Sequence, residues 1–581
     1  MKFDYIIAGG GTCGLLLANR LSADPNNSVV VIEPGQDVRN NPNVSVPENF
    51  ISEPVFNTPL DWAYATEPQR GGANRTLQMH AGKALGGSST INGMTYIRAD
   101  VAEIDAWEAL GNEGWNWETL LPYYKRVERY SPPTEAQVAV GASYEAQYHG
   151  QHGLLHVGNL YTLPNKSFYE TVQDTWQNIG YMVNPDVNSG DTRGFDVYPM
   201  TVDRERDLRW DAARAYYYPI ENRTNLKVLR GTVVKVTWGR QDEAEKNMTA
   251  SGVEFVDANN KSVAIQAGKE VILSTGSLRT PGILEASGVG NPRQVFGSVA
   301  SNRACLLTAV TSVLSELGID IVVDLPGVGE NLQEQPNTAL VFTANLDTAG
   351  YAPYATFATA DDVFGSEKLA LADVTKGSLK GYAQTIAAAS NAGLNTTAIE
   401  QILRIQHDLI FNQNVTIGET ITLAAGGYFV TSHWLLLPFS RGSVHLRASD
   451  EANLPVIDPR YFLIDFDMTQ QVGIGHQAQK FWQSSPMSDY LTGNVSGIPA
   501  SDVDWVKFIE GSFAPNYHPI GTAAMMSRDL GGVVDRELKV YGTSNVRVVD
   551  ASILPIQSSG HPTSTLYAIA ERAADLILAS S

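Results

Sequence analysis

The sequence predicts a mixed protein of the α/β and α+β classes, with a discontinuous Rossmann-like nucleotide-binding domain and an interleaved second domain. Residues 3–21 have the pattern of a buried strand, a glycine-rich turn and a helix. A further strand with a glycine-bounded turn follows at 270–290, and a strand with an amphipathic helix lies at 545–577. Residues 331–510 mix strand and helix patterns without a nucleotide motif. We therefore expect the two ends to build one domain around the middle.

The composition is that of a large globular enzyme. The 581 residues include 41 Lys and Arg against 62 Asp and Glu, which gives a net charge of −21. This charge disfavours nucleic acid and anionic lipid as partners, and no apolar run is long enough to predict a membrane span. Two cysteines, Cys13 and Cys305, exclude a disulfide scaffold and a cysteine-based metal site. We expect a monomer or a homodimer.

The targeting signals conflict. The first strand begins within three residues of Met1, which leaves no room for a signal peptide. Ten Asn-x-Ser/Thr sequons nevertheless favour a secreted, extracellular glycoprotein whose leader is absent from this chain; without a leader the prediction is cytoplasmic. The sequons are at Asn26, Asn43, Asn74, Asn165, Asn222, Asn247, Asn260, Asn395, Asn414 and Asn494.

The first glycine-rich turn predicts a dinucleotide site. Gly9 permits a tight turn, Gly11 lets the backbone approach a pyrophosphate, and Gly14 allows close packing of helix and strand. Glu33, at the end of the next strand, can accept hydrogen bonds from ribose hydroxyls. This motif alone does not distinguish NAD from FAD. The contacts predicted here are Gly9, Gly11, Thr12, Cys13, Gly14 and Glu33.

A second glycine-rich stretch, Gly82–Tyr96, resembles the first signature of the glucose–methanol–choline (GMC) oxidoreductases, and Gly276–Gly290 resembles their second. The resemblance covers nearly the whole chain and is strongest to the fungal FAD glucose dehydrogenases and glucose oxidases. It continues through Asp324–Gln333, Leu436–Gly442, Asn516–Thr522 and Val549–Ser552.

The resemblance implies FAD as the cofactor and the GMC fold, in which the substrate domain is a β-sheet backed by helices. It implies that 1–330 are mainly FAD-binding with small substrate-domain segments, that 331–510 are mainly substrate-binding, and that 511–581 return to the FAD domain. The further FAD contacts it implies are Ser88, Asn92, Gly93, Met94, Thr95, Val233, Asp550 and Ala551.

Two histidines, His518 and His561, precede prolines and flank the last predicted strand. Removing a hydroxyl proton while hydride leaves for flavin N5 needs a base that titrates near neutrality, and imidazole is suited to it. The resemblance places the catalytic base at His518 and the second active-site residue at His561. It implies that Glu419 hydrogen-bonds the second imidazole and that Asn516 contacts a substrate hydroxyl.

One position departs from the family. Glucose-active members carry an arginine where this chain has Ala514, and alanine cannot hold sugar hydroxyls. Losing such a charged donor costs about 1.5–3 kcal/mol, so the departure puts glucose in doubt as the substrate.

The predicted function is FAD-dependent oxidation of an alcohol or sugar hydroxyl, most like a sugar dehydrogenase, with a quinone, a dye or O₂ as electron acceptor. The alternatives are an O₂-using sugar or alcohol oxidase and a biosynthetic enzyme that oxidises a secondary-metabolite alcohol. A flavin-dependent lyase and an inactive flavin-binding protein are more remote.

Two further segments leave alternatives open. The spacing of His149, His152 and His156 could suggest a metal, but the glycine-containing loop without a nearby carboxylate favours an ordinary polar loop, and we predict no metal site. Residues Val295–Ser312 exceed the length that the family pattern needs. They are either a genuine insertion or an in-frame retained intron, and the second interpretation is favoured.

Overall fold

The computed structural model describes residues 1–52, 54–160, 163–241, 247–292, 295–299, 306–310, 313–347, 350–390, 394–425, 427–447 and 454–580. Two β-sheets, one of six strands and one of seven, form its framework, and helices cover both. This mixed architecture agrees with the predicted fold class.

The strands of the described residues, in chain order, are β1 (Lys2–Ala8), β2 (Val29–Glu33), β3 (Tyr64–Ala65), β4 (Gln78–Met79), β5 (Glu128–Ser131), β6 (Leu155–Gly158), β7 (Gly194–Val197), β8 (Val202–Asp203), β9 (Leu208–Arg209), β10 (Leu226–Gln241), β11 (Met248–Asp257), β12 (Ser262–Leu273), β13 (Val289–Gly290), β14 (Val295–Val299), β15 (Leu306–Val310), β16 (Val323–Asp324), β17 (Pro336–Ala344), β18 (Tyr354–Thr359), β19 (Thr416–Ala425), β20 (Tyr428–Leu435), β21 (Ser443–Leu446), β22 (Pro455–Asp458), β23 (Leu491–Asn494), β24 (Ala514–Pro515) and β25 (Val546–Val548).

The α-helices of the described residues are α1 (Thr12–Leu21), α2 (Pro42–Ser45), α3 (Val101–Ala109), α4 (Trp117–Val127), α5 (Glu135–Val138), α6 (Lys166–Asn178), α7 (Thr280–Ala286), α8 (Val313–Glu316), α9 (Ala360–Phe364), α10 (Lys368–Ala389), α11 (Thr396–Phe411), α12 (Asp465–Gln483), α13 (Met487–Tyr490), α14 (Asp502–Ser512) and α15 (Pro562–Ala579).

The six-stranded sheet gathers segments from both ends of the chain. Its parallel part has the order β10–β2–β1–β12–β25. All five residues of β2 are buried, as a parallel strand with both faces covered requires. The long strands β10 and β12 continue beyond the parallel part and pair antiparallel with β11. The predicted strands at the N-terminus, at 270–273 and before the last helix are all found in this sheet.

The seven-stranded sheet is antiparallel and has the order β23–β17–β20–β19–β18–β7, with β24 paired to β17. Strand β18, next to the edge strand β7, is buried along its whole length because both of its faces are covered. Phe357 and Trp434 on one face belong to the same apolar core as β1 and α15, whereas Tyr354 and Phe429 on the other pack with Trp176 and other residues of helices α6, α12 and α14. One face of the sheet therefore lies against the nucleotide-binding part.

The strands of this sheet come from several parts of the sequence. β7, in the N-terminal region, and β24, in the C-terminal region, both join it, while most of its strands lie between 336 and 494. The domain limits at 330 and 510 remain predictions.

The segment Val295–Ser312 is described in part. Strands β14 and β15 form an antiparallel pair, and among the described residues neither pairs with any other strand. Residues 300–305, which include Cys305, and residues 311–312 lie outside the described residues. The insertion and the retained intron both remain open.

Close packing of β1 against α1 predicts a specific intolerance at Gly14. A methyl group there would lie 2.0 Å from the carbonyl oxygen of Gly9. We expect Gly14→Ala to lower the free energy of unfolding by about 1–3 kcal/mol, as overpacked sites do. The measurement is denaturant unfolding of the protein without bound cofactor.

Gly11→Ala is the matched control, because its methyl group would have Gly87 Cα, 3.7 Å away, as its nearest neighbour. We expect this variant to change the free energy of unfolding by less than about 0.5 kcal/mol. Equal losses in the two variants would contradict the packing described here.

Candidate active site

The turn between β1 and α1 leaves an open, positively polarised surface. Gly9 has a φ of 97°, and its added Cβ would overlap the backbone of Ser274. Helix α1 starts after Gly11, which supplies no capping side chain, and its first turn contains no acidic residue. The helix N-terminus thus keeps N–H groups available for an anion, and the space above Gly11 is not filled by protein atoms closer than 3.7 Å.

The second glycine-rich loop lies directly against this turn. The backbone N–H of Gly86 donates to the carbonyl of Gly10 at 2.8 Å, and a Cβ at Gly87 would lie 2.7 Å from Gly11 Cα. Asn92 is fixed by Arg209, which donates to its carbonyl and to its side-chain oxygen at 2.7 and 2.8 Å. The two loops form one backbone-rich surface.

The remaining residues predicted on this loop follow the same surface. Met94 takes a left-handed conformation with φ 61°, and its N–H donates to the side chain of Asn92. Thr95 forms a bridge with Met200, and the Ser88 hydroxyl accepts from the N–H of Gly82. A Cβ added at Gly93 would lie 3.2 Å from the ring of Phe50, so that a larger residue there would require this ring to move.

Glu33 stands at the end of β2, as predicted, with its carboxylate already engaged. Its two oxygens accept from the backbone N–H groups of Gly10 and Gly35 at 2.8 and 2.7 Å. Burial raises the pKa of Glu33 to about 7, and these two N–H groups oppose that shift. Each carboxylate oxygen has a second lone pair, which leaves acceptor capacity for a ribose hydroxyl. Val233 lies nearby, three residues beyond Arg230, the pairing partner of Glu33.

Asp550, which follows strand β25, is hydrogen-bonded to the stretch Gly276–Gly290. It accepts from the Gly276 N–H at 2.9 Å and from the Thr280 hydroxyl at 2.6 Å, while Ser552 donates to its other oxygen. Burial raises the pKa of Asp550, and these hydrogen bonds oppose the shift. Burial, and then the charge of Asp550, raise the pKa of the Cys13 thiol far above its usual value.

These residues suit an anionic dinucleotide. The open turn at Gly11, the uncapped helix end and the contacting loops supply backbone N–H donors with few side chains in between. The second glycine-rich loop enlarges this surface, and that suits a flavin, because its bulky ring system needs space close to the backbone. Ala551, also predicted as a contact, follows Asp550, and its carbonyl accepts from Gly521 at 3.3 Å.

The two predicted histidines meet beyond the end of this surface. The rings of His518 and His561 are 4.9 Å apart and nearly perpendicular. His561 is the residue before α15, and its N–H donates to the carbonyl of Ile97. His518 lies in the loop that follows β24. One imidazole is thus supplied by a helix start and the other by the edge of the seven-stranded sheet.

Glu419 reaches His561 from the centre of that sheet. Its fully buried side chain accepts from His561 Nε2 at 3.0 Å. Within the sheet Glu419 pairs with Phe357 on one side and Trp434 on the other, and the Trp434 ring meets His561 edge to face at 6.1 Å. A carboxylate only accepts, so the proton of this contact belongs to His561 Nε2.

His518 is held by two consecutive residues that the sequence analysis did not single out. Its Nδ1 lies 2.8 Å from the side-chain oxygen of Gln335. Its backbone N–H donates to Glu334 at 2.8 Å, and the N–H of Asn516 donates to the other oxygen of the same carboxylate. Tyr461 also donates to Glu334. Burial raises the pKa of Glu334 to about 7 against these donors.

The electrostatics leave His518 neutral. Burial lowers the pKa of His518 well below its usual value, and the neighbouring His561 lowers it further. A neutral imidazole with a proton on Nδ1 keeps a lone pair on Nε2. The site therefore holds one imidazole as a proton acceptor beside a second one that is anchored by a carboxylate.

Asn516 lies beside His518, with both ends of its carboxamide in contact with the protein. Its oxygen accepts from Asn337 at 2.8 Å, and its nitrogen lies 3.3 Å from the side-chain oxygen of Gln335. The second N–H of the nitrogen retains donor capacity. Ala514 is exposed and pairs with Asn337 at the edge of the sheet.

The histidines at 149–156 correct one expectation. The sequence analysis expects no carboxylate near this loop, yet the fold places His149 between Glu128 and Asp186, at 3.0 and 2.9 Å. These partners lie 21 and 37 residues away in sequence. His156 instead stacks on Trp210. Within the described ranges, no group of three or more His, Cys, Asp or Glu side chains is arranged to hold a metal.

The described part of the chain also contains no helix with the length and apolar character needed to cross a membrane.

Comparison with known proteins identifies the family. The family models for the N-terminal and the C-terminal part of the GMC oxidoreductases match residues 3–337 and 438–570, respectively. The chain is 50% identical over 581 residues to "Glucose oxidase-like protein fsoC" of Humicola fuscoatra, covering 99% of this chain and 95% of the relative. It is 36% identical to a glucose oxidase of Aspergillus carbonarius, covering 99% and 92%.

A solved structure agrees with the fold. An FAD-dependent oxidoreductase from Chaetomium thermophilum superposes with a TM-score of 0.87 at 27% sequence identity, covering 100% of this chain and 99% of the other. The chain belongs to the GMC oxidoreductase family, and it is an FAD-binding oxidoreductase that acts on a CH–OH group.

Proposed function

We propose that His518 is the base that removes the hydroxyl proton of the substrate. The observation that carries the proposal is the pairing of a neutral, oriented His518 with His561 at 4.9 Å. Its Nε2 lone pair is available because Nδ1 faces the amide oxygen of Gln335.

His561 and Glu419 would bind the same hydroxyl group from the other side. With Glu419 accepting from Nε2, the Nδ1 atom of His561 remains for the substrate. It donates to the hydroxyl oxygen only when the imidazole carries a proton on both nitrogens, because the single hydroxyl proton faces His518. Glu419 Oε2 is buried and has no hydrogen-bond partner among the described residues, so the carboxylate can respond to charge that develops on His561.

FAD, when bound, accepts the hydride from the carbinol carbon. The chain's part is to bind the cofactor on the backbone surface of the two glycine-rich loops and to hold the hydroxyl between His518 and His561. The similar proteins named as glucose oxidase-like and as glucose oxidase support oxidation of an alcohol or sugar rather than lyase chemistry on the same fold.

We infer a substrate that binds without the arginine of the glucose-active members. Ala514 supplies no donor, and Asn516 is the only residue of the predicted sugar contacts that offers one here. A less polar alcohol, or a sugar held by other groups, suits this site better than free glucose.

For the electron acceptor we propose O₂, because the similar proteins from H. fuscoatra and A. carbonarius are named as oxidase-like and oxidase. A quinone or dye acceptor is the alternative. Hydrogen peroxide formed in amounts equal to the substrate consumed would support O₂; turnover that needs an added dye would favour a dehydrogenase.

We also propose that the protein is a secreted glycoprotein. None of the ten sequon asparagines is buried: three are partly exposed, Asn165, Asn247 and Asn414, and the rest are exposed. Glycosyl transfer requires such accessibility.

Glu419→Gln tests the anchored imidazole. The amide keeps the shape and the contact to His561 but removes the charge. We expect unchanged FAD content and a flavin reduction by alcohol substrate that is about 10- to 100-fold slower, because a charge-assisted hydrogen bond contributes about 1.5–3 kcal/mol. The measurement is anaerobic rapid mixing, which follows flavin bleaching. Unchanged bleaching would remove Glu419 from the proposed site.

Ala514→Arg tests the substrate inference. A guanidinium at this exposed edge restores a forked donor for sugar hydroxyls. We expect the ratio of kcat/KM for glucose to that for a less polar primary alcohol to rise by about tenfold or more, as a charged hydrogen bond allows. Ala514→Gln, which introduces a shorter, neutral donor, is the control. Equal ratios in the wild type and both variants would show that position 514 does not set specificity.

A further inference from the structure

The side chain of Gln335 is a fixed acceptor beside the ring of His518. It is completely buried, and its nitrogen donates to the carbonyl of Leu436 at 3.1 Å. This contact sets the orientation of the amide, so the atom 2.8 Å from His518 Nδ1 is the oxygen. An oxygen at that distance requires a hydrogen on Nδ1, because two lone pairs would repel each other.

A competing donor stands at the same nitrogen. The side-chain nitrogen of Asn516 lies 3.1 Å from His518 Nδ1 and could donate to it if Nδ1 carried a lone pair. With Gln335 present, Asn516 instead has the Gln335 oxygen within 3.3 Å, so one oxygen serves both donors. Gln335 therefore decides between two arrangements that the local geometry permits.

We propose that Gln335 is a positioning residue that keeps the proton of His518 on Nδ1 and so leaves Nε2 as the acceptor facing the substrate. The inference rests on the proposed role of His518 as the base. It extends that role, because a tautomer with the proton on Nε2 has no lone pair to offer there. Gln335 acts through His518 and needs no contact with substrate.

Three other ionisable groups surround this arrangement. His561 faces the His518 ring, Glu419 stands behind His561, and Glu334 holds the backbone N–H of His518 rather than its ring. None of them accepts a hydrogen bond from Nδ1, so the tautomer depends on Gln335.

The test is ¹⁵N NMR of the FAD-loaded protein with ¹⁵N-labelled histidine, with the His518 signals assigned by their loss in His518→Gln. In the wild type we expect the pattern of a neutral ring protonated on Nδ1. In Gln335→Leu the acceptor is gone and Asn516 becomes the remaining partner, so we expect the proton on Nε2. A wild-type ring protonated on Nε2, or an unchanged Nδ1–H ring in Gln335→Leu, would overturn the proposal.

Gln335→Glu provides a second variant if the leucine variant does not fold. It keeps an acceptor at Nδ1 and adds a negative charge, so the proton should stay on Nδ1. The pH at which His518 titrates should then rise by about 1–3 units, since an opposite charge within a few Å favours the protonated ring. Gln413→Glu, an exposed substitution that adds the same charge elsewhere, is the control and should not move it. A titration unmoved in Gln335→Glu, or moved equally in both, would contradict the proposal.

Flavin reduction separates this proposal from the role of His518. If the base is His518, Gln335→Leu should slow bleaching by about 10²-fold or more, the lower range for loss of a positioned base. A switched tautomer with normal bleaching would leave the positioning by Gln335 intact and would reject His518 as the base. Slow bleaching with an unchanged tautomer would reject the positioning and leave the base unaffected.

Discussion

The central constraint on this structure is that an imidazole must be kept neutral and correctly oriented in a largely buried site. Burial and the neighbouring His561 lower the pKa of His518 and so supply the neutral form. Orientation comes from Glu334 and Gln335, which hold the backbone and the ring of His518. Both stand immediately before β17, so the first long strand of the seven-stranded sheet also positions the two residues that hold His518.

The same sheet connects the two imidazoles. Glu419 lies in its centre, fully buried, where a lone carboxylate would be costly without a partner, and His561 supplies that partner. His561 itself belongs to the start of α15, which packs on α1 next to the nucleotide-binding turn. A change in the angle between the two sheets would therefore alter the contact of Glu419 with His561 and the 4.9 Å spacing of the rings together.

Much of this could be predicted from the sequence. The turn at Gly9–Gly14, the buried strand that ends at Glu33 and the last helix follow from residue periodicity and glycine placement. The resemblance to a family then indicated Glu419, which the structure places on His561. Its position inside a strand gave no local sign of a function.

The supporting residues could not be found this way. Gln335 lies 183 residues from His518, two residues beyond the motif Asp324–Gln333, and its role depends on the orientation of one amide. The carboxylates beside His149 could not be predicted either, because they lie far from it in the sequence and motif spacing relates only residues that are close along the chain. Local patterns specify elements, whereas hydrogen-bond partners depend on the packed fold.

The most direct measurement of the central claim is anaerobic flavin reduction by substrate in His518→Ala. His476→Ala is the control, because that histidine is 42% exposed and pairs with the exposed Asp502. The account predicts that His518→Ala retains FAD and bleaches about 10²–10⁴ times more slowly than the wild type, the usual effect of losing a positioned base, while the control bleaches normally. Bleaching at the wild-type rate by FAD-loaded His518→Ala would contradict it.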